Sequence, residues 1–244
     1  MKAAPEIQRR LLDIQAVDTA IAQLEHRKRA LPEHAEIADG AKKRAAVLES
    51  ITATQTEVSD LDLEVSKAES DLVPVRERKE RNQQRVDAGA ADPKALTALI
   101  DEIAHLGKRI SDLEDAQLEV MEQHEDAVAR LESLKRDRSE IDASLRALIA
   151  RRDEQVADLD VQMADKAAER TAMVADVPAD VLALYDRIRE HGGGVGAAKL
   201  VGRRCTGCQI EATAADLARY QALPADEVAR CVECERILVR GTDA

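Results

Sequence analysis

The chain has no Phe, no Trp and only two tyrosines, Tyr185 and Tyr220, among its 244 residues. A compact core of this size normally draws much of its buried area from large aromatic rings, so a broad spherical core is excluded. Glycine (10) and proline (6) are also scarce. With 34% charged residues, that is the balance of long helices and coiled coils. No run of 18 or more apolar residues exists, which argues against a membrane-spanning helix. The first residues reach Glu6 and Arg9-Arg10 before any apolar run, so no signal peptide is expected and the expected compartment is the cytoplasm.

What the sequence does contain begins with heptads. From Leu99 apolar residues recur at alternating steps of four and three, through Ile103, Leu106, Ile110 and Leu113, and on to Leu159. Thirteen of the eighteen positions on this track are apolar, which predicts a coiled-coil helix. Gln117, His124, Arg138, Arg152 and Gln155 are its polar members, and the first four are expected to fix register rather than bind a ligand. In the first half, Ile51, Val58, Val65 and Leu72 recur by sevens. Leu31-Pro32 and Asp39-Gly40 are expected to break or kink the helix, and Pro74 to kink it. Residues 87–94 hold Gly89, Asp92 and Pro93, which suit a helix end, an N-cap and a first helical position. Two arms of about 80 residues, each roughly 120 Å long, would therefore fold back as an antiparallel hairpin over residues 1–175. Residues 76–94 carry six basic side chains against four acidic ones, so the tip is a candidate docking surface.

Residues 176–194 read as a short helix with apolar face Val181, Leu184, Tyr185 and Ile188, followed by a flexible joint at Gly192–Gly194. Residues 195–244 are too few to hold a hydrophobic core unaided. Their staple is a pair of C-x2-C motifs, Cys205/Cys208 and Cys231/Cys234. Two such knuckles point four thiolates at one point, which suits one structural Zn²⁺ and leaves no coordination position for catalysis. Iron–sulfur ligation and two disulfides are the alternatives. Strands are expected at 197–201 and 236–240. The fold class is thus mainly α: a long coiled-coil hairpin, then a small β zinc ribbon.

These features resemble a bacterial family that joins a coiled-coil hairpin to a C4-type zinc ribbon. The resemblance rests on Leu11-Leu12-Asp13-Ile14-Gln15-Ala16-Val17-Asp18, on Asp92-Pro93-Lys94-Ala95-Leu96, on Leu184-Tyr185-Asp186-Arg187-Ile188, and on Cys231-x-x-Cys234-x-Arg236-Ile237-Leu238. Some members bind the alternative sigma factor sigma-54 and support flagellar gene expression. The resemblance therefore implies a protein partner, such as a sigma factor or a component of the RNA machinery. Members usually carry Gly after the fourth cysteine, where this chain has Glu235.

Charge bears on the partner. Residues 195–244 hold seven basic and seven acidic side chains, without the clustered positive footprint of a nucleic-acid binder. Arg203, Arg204 and Arg236 flank the knuckles and are the candidates for nucleic-acid contact. No phosphate loop and no nucleophile with a partnered base is recognisable. The expectation is a non-enzymatic, zinc-binding protein–protein adaptor without a small-molecule substrate; the alternative is a nucleic-acid-binding ribbon.

Overall fold

The computed structural model describes residues 1–89 and 92–241. It is mainly α, with helices α1 (Pro5–Arg29), α2 (Pro32–Asp87), α3 (Pro93–Val174), α4 (Ala179–His191) and α5 (Ala214–Ala222). Four short strands, β1 (Ala197–Val201), β2 (Arg204–Cys205), β3 (Ala229–Arg230) and β4 (Ile237–Val239), form one sheet in the order β2-β1-β4-β3. The chain divides into two compact units, one of Glu36–Leu148 and one of Met1–Ala35 with Ile149–Ala244.

In the Glu36–Leu148 unit, α2 and α3 pair antiparallel along the heptad seam. Ile51, Leu61, Leu72, Leu99, Leu106, Ala127 and Leu131 are buried there. Ion pairs cross the seam at Arg44–Asp142 (2.6 Å), Glu57–Arg130 (2.6 Å) and Arg76–Glu114 (2.5 Å). His124 lies on the seam and meets Asp62 at 2.9 Å. At the turn, Asp92 caps α3 through Oδ1, which accepts the N–H groups of Lys94 (2.9 Å) and Ala95 (3.0 Å). Ala90 and Ala91, within the expected turn, lie outside the described residues.

The expected interruptions divide. A break occurs at Ala30-Leu31, where Pro32 opens α2 at a position whose N–H would have no helical partner anyway. None occurs at Asp39-Gly40. There a Cβ on Gly40 would stand 2.6 Å from Leu145 Cδ2, so glycine serves close helix contact rather than a stop. At Pro74, where a kink rather than a stop is expected, the helix continues.

In the other unit, α1, α4 and the sheet share one core. Leu11, Ile14, Val181, Tyr185, Ile237 and Val239 are its most buried members. The first residues are held by the segment that leads into β3: Lys2 bridges Glu227, the Ala3 N–H donates to Asp226 O (2.7 Å), and the Val228 N–H donates to Met1 O (3.1 Å). The Gly-rich segment expected as a flexible joint is instead held on both sides. Arg236 donates to Gly192 O (2.5 Å) and Val195 O (3.1 Å), and Gln15 donates to Gly194 O (2.9 Å). Gln15 Oε1 also accepts the Gly196 N–H at 2.7 Å. A buried polar cluster lies beside these bonds. Asp18 accepts from Arg170 Nε (2.7 Å), Tyr185 Oη (2.7 Å) and Arg189 (3.0 Å).

Candidate metal centre

Each knuckle of the C-terminal sheet is a tight turn closed by backbone hydrogen bonds. In the first, the Gln209 N–H donates to Cys205 O (2.8 Å) and the Cys205 N–H to Ile210 O (3.1 Å). In the second, the Glu235 N–H donates to Cys231 O and the Cys231 N–H to Arg236 O, both at 2.9 Å. The residue after the second cysteine of each pair is left-handed, with φ 62° at Gln209 and 59° at Glu235. Gly207, between Thr206 and Cys208 of the first knuckle, makes room for its neighbours. A Cβ there would come within 2.7 Å of Arg236 Cδ and 3.0 Å of Ala198 Cβ, so it admits the second knuckle's arginine.

This geometry brings Cys205, Cys208, Cys231 and Cys234 together, with all four sulfurs within 4.8 Å of one another. Cys205 Sγ and Cys234 Sγ are 4.0 Å apart, and Cys208 Sγ and Cys231 Sγ are 3.9 Å apart. A tetrahedral ion held at about 2.3 Å by four thiolates needs sulfurs about 3.8 Å apart, whereas a disulfide needs about 2.05 Å. The cluster fits a metal and does not fit two disulfides.

The electrostatics point the same way. Burial pushes the Cys231 thiol up to about 12 and also raises Cys205. Burial works against ionisation of Cys234 too, but the Arg236 backbone N–H and guanidinium outweigh it and bring that thiol down to about 7. Cys234 is thus prepared to ionise while Cys205 and Cys231 resist, since neighbouring buried thiolates need a cation among them.

Two side chains that the sequence did not single out for the site support its walls. Tyr220 of α5 is buried, and its Oη accepts the Val232 N–H of the second knuckle at 3.0 Å. Arg240 donates to the carbonyls of Tyr220 (2.6 Å), Leu223 (2.9 Å), Pro224 (2.8 Å) and Glu227 (2.7 Å), tying the end of the sheet to α5. The signal for α5 was present in Thr213, which caps the helix by accepting the Asp216 N–H.

The three arginines proposed for nucleic acid are all engaged within the module. Arg203 donates to Ala212 O (3.2 Å), Arg204 pairs with Glu211 (3.1 Å), and Arg236 is held by the two carbonyls above.

The left-handed Glu235 yields a prediction. A non-glycine residue in this conformation costs about 1 kcal/mol or more, and its ion pair with Arg230 (2.9 Å) is exposed, where such pairs contribute little. Glu235→Gly is therefore expected to stabilise the module by about 1 kcal/mol. Urea unfolding followed by tyrosine emission would register it as a raised midpoint; a lowered midpoint would mean that the Arg230 pair outweighs backbone strain.

A model of the CT398-like coiled coil hairpin domain matches residues 14–193. Among curated proteins, Rv2229c of Mycobacterium tuberculosis is 35% identical over 240 residues, covering 98% of each chain. ML1638 of Mycobacterium leprae is 26% identical over 221 residues, covering 89% of this chain and 93% of that one. A solved structure from Mycobacterium smegmatis superposes with a TM-score of 0.84 at 34% identity, covering 98% of this chain and all of that one. CT398 of Chlamydia trachomatis shares the fold at a TM-score of 0.69 and 19% identity, covering 97% and 98% of the two chains. By its sequence and its fold, the chain belongs to the CT398-like coiled coil hairpin family.

Proposed function

We propose that this protein is a non-catalytic, zinc-binding adaptor that docks proteins on its helical hairpin and on its C-terminal zinc ribbon. One observation carries the reading. Four cysteine sulfurs of one chain, all within 4.8 Å, can fill every position of a tetrahedral Zn²⁺. A metal so enclosed organises a surface and has no open position for substrate. The engagement of Arg203, Arg204 and Arg236 in internal contacts favours protein over nucleic acid at the ribbon. The resemblance to sigma-54-binding proteins directs the reading towards the transcription or RNA machinery in the cytoplasm. No described helix is long and apolar enough to cross a membrane.

The test is affinity capture with the full chain before and after nuclease digestion. Retention of specific protein partners after digestion is the expected result. Loss of every partner on digestion would replace the adaptor with a nucleic-acid binder, provided that binding also weakens steeply with salt and on Arg203→Ala with Arg204→Ala.

A further inference from the structure

Residues 53–75 of α2 and 112–134 of α3 lie beside one another in the Glu36–Leu148 unit, as the Glu57–Arg130 and Asp62–His124 pairs show. Together these stretches hold fourteen acidic side chains and two basic ones, Lys67 and Arg130. Their balance equals the formal charge of the whole chain, −12. The acidity of this protein is therefore concentrated in one belt of the hairpin, about 35 Å long at 1.5 Å per residue.

The two flanks of the belt differ. The Arg76–Glu114 pair marks one flank, and the Glu57–Arg130 pair the other. Stepping by sevens from Arg76 and Glu114 gives Asp62, Glu69, Met121 and Val128 on the first flank. The positions three residues before Glu69, Arg76, Met121 and Val128 share that flank, and they are Ser66, Val73, Leu118 and Glu125. Val73, Leu118 and Met121 are 54%, 57% and 37% exposed, and Leu63 at the outer border is 71% exposed. Along this flank, between Ser59 and Val73 and between Ser111 and Val128, the heptad positions hold no Lys or Arg. The opposite flank is acidic through Glu57, Asp60, Glu64 and Asp126, and both basic residues of the belt lie there.

Acidic side chains interleaved with exposed Val, Leu and Met give this flank both an anionic and an apolar character. We infer that this flank docks a Lys/Arg-rich amphipathic helix of a partner protein, which lies along the two helices as a third. Charge complementarity selects the occupant. A basic helix neutralises Asp62, Glu69 and Glu125 while its apolar side seats on Val73, Leu118 and Met121. A second copy of the same flank would set acid against acid, and nucleic acid or an anionic bilayer would be repelled. The inference rests on the adaptor reading and supplies the chemistry of one partner.

The probe is a fluorescent 21-residue Leu/Lys amphipathic peptide, compared with a scrambled peptide of equal composition and titrated against the full chain. The amphipathic peptide is expected to bind about tenfold more tightly than the scramble, and more weakly as salt rises. Leu118→Ser with Met121→Ser should remove about that tenfold, while Asp60→Asn with Glu64→Gln on the opposite flank should change binding far less. All four side chains are exposed, so helical ellipticity should be unchanged. A photo-crosslinker at Ser66 should label the peptide, and one at Asp60 should not. Equal binding of the scramble, equal losses on both flanks, or labelling only from Asp60 would overturn the inference. The nuclease-treated capture separates the two readings. If the Leu118/Met121 variant retains every partner of the native chain, this surface fails and the adaptor stands. If the native chain captures no protein, both fail.

Discussion

Replacing Cys205 by Ser is expected to abolish stoichiometric metal binding and to unfold the C-terminal module while most of the helical signal survives. Native protein should carry about one zinc per chain, because the four sulfurs, all within 4.8 Å of one another, can ligate a single tetrahedral ion. Structural zinc sites supply roughly 10–16 kcal/mol of apparent binding free energy, and in such modules that energy is folding energy. The small core around this site, formed by Ala198, Cys205, Tyr220, Ala229, Cys231 and Leu238, is in no position to replace it. The chain reports on itself here. Its two tyrosines, Tyr185 and Tyr220, both belong to the unit that contains the module, so tyrosine emission follows that unit alone. Ellipticity at 222 nm is dominated by α2 and α3, of 56 and 82 residues. The variant should thus lose its metal and the native emission while ellipticity falls by little more than the nine residues of α5. Elemental analysis finding iron, or no metal with two disulfides, would sink the zinc assignment. Full metal loss with unchanged tyrosine emission would show that the sheet stands on its packing against α1 and α4.

The contrast between what the sequence disclosed and what it concealed follows from the range of the interactions. The heptads were legible because Leu99, Leu106 and Leu131 repeat a local pattern whose one economical use is a helical seam. The hairpin turn was legible because Asp92 and Pro93 act on backbone groups within three residues. The four cysteines were legible because C-x2-C spacing is itself a geometric statement about one knuckle. Three features were not legible, and each depends on partners far apart in the chain. Gly40 reads as a breaker until Leu145, some hundred residues on, is found against it. Gly192–Gly194 reads as a flexible joint until Gln15 and Arg236 bind its carbonyls. Met1–Ala3 carries no local pattern that announces its bridge to Glu227 or its bonds with Asp226 and Val228. The resemblance included Asp18 and Tyr185 as motif letters without a role. The structure supplies that role, since Tyr185 Oη donates to the Asp18 carboxylate at 2.7 Å.

That contact leads to the second large effect: Asp18→Ala should destabilise the unit containing α1, α4 and the sheet by about 3–5 kcal/mol. Removing one member of a buried, hydrogen-bonded charge cluster strands the rest, and this range is typical of the result. The Asp18 side chain is 2% exposed and faces two guanidinium groups, Arg170 at 2.7 Å and Arg189 at 3.0 Å. Burial works against the Arg170 charge, yet the hydrogen bond and charge of Asp18 more than offset it and leave its pKa raised. Burial and the Asp18 hydrogen bond likewise push the Tyr185 phenol up, so it stays a neutral donor at any working pH. Without the carboxylate, among the described residues Arg170 keeps only Asp186 at 2.7 Å, and the Tyr185 hydroxyl keeps only Gln15 Oε1 at 3.2 Å. Gln15 in turn positions Gly194 and Gly196, so the loss should reach the entry to the sheet. Asp18→Asn preserves shape and one acceptor but removes the charge, and should fall between native and Ala. Asp186→Asn is the control, because its side chain is 36% exposed and water can replace it at a cost of about 1 kcal/mol or less. Urea unfolding read by tyrosine emission ranks the variants. The expected order of stability is native, Asp186→Asn, Asp18→Asn, Asp18→Ala. A midpoint for Asp18→Ala equal to that of the Asp186 control would show that the cluster is as dispensable as a surface pair.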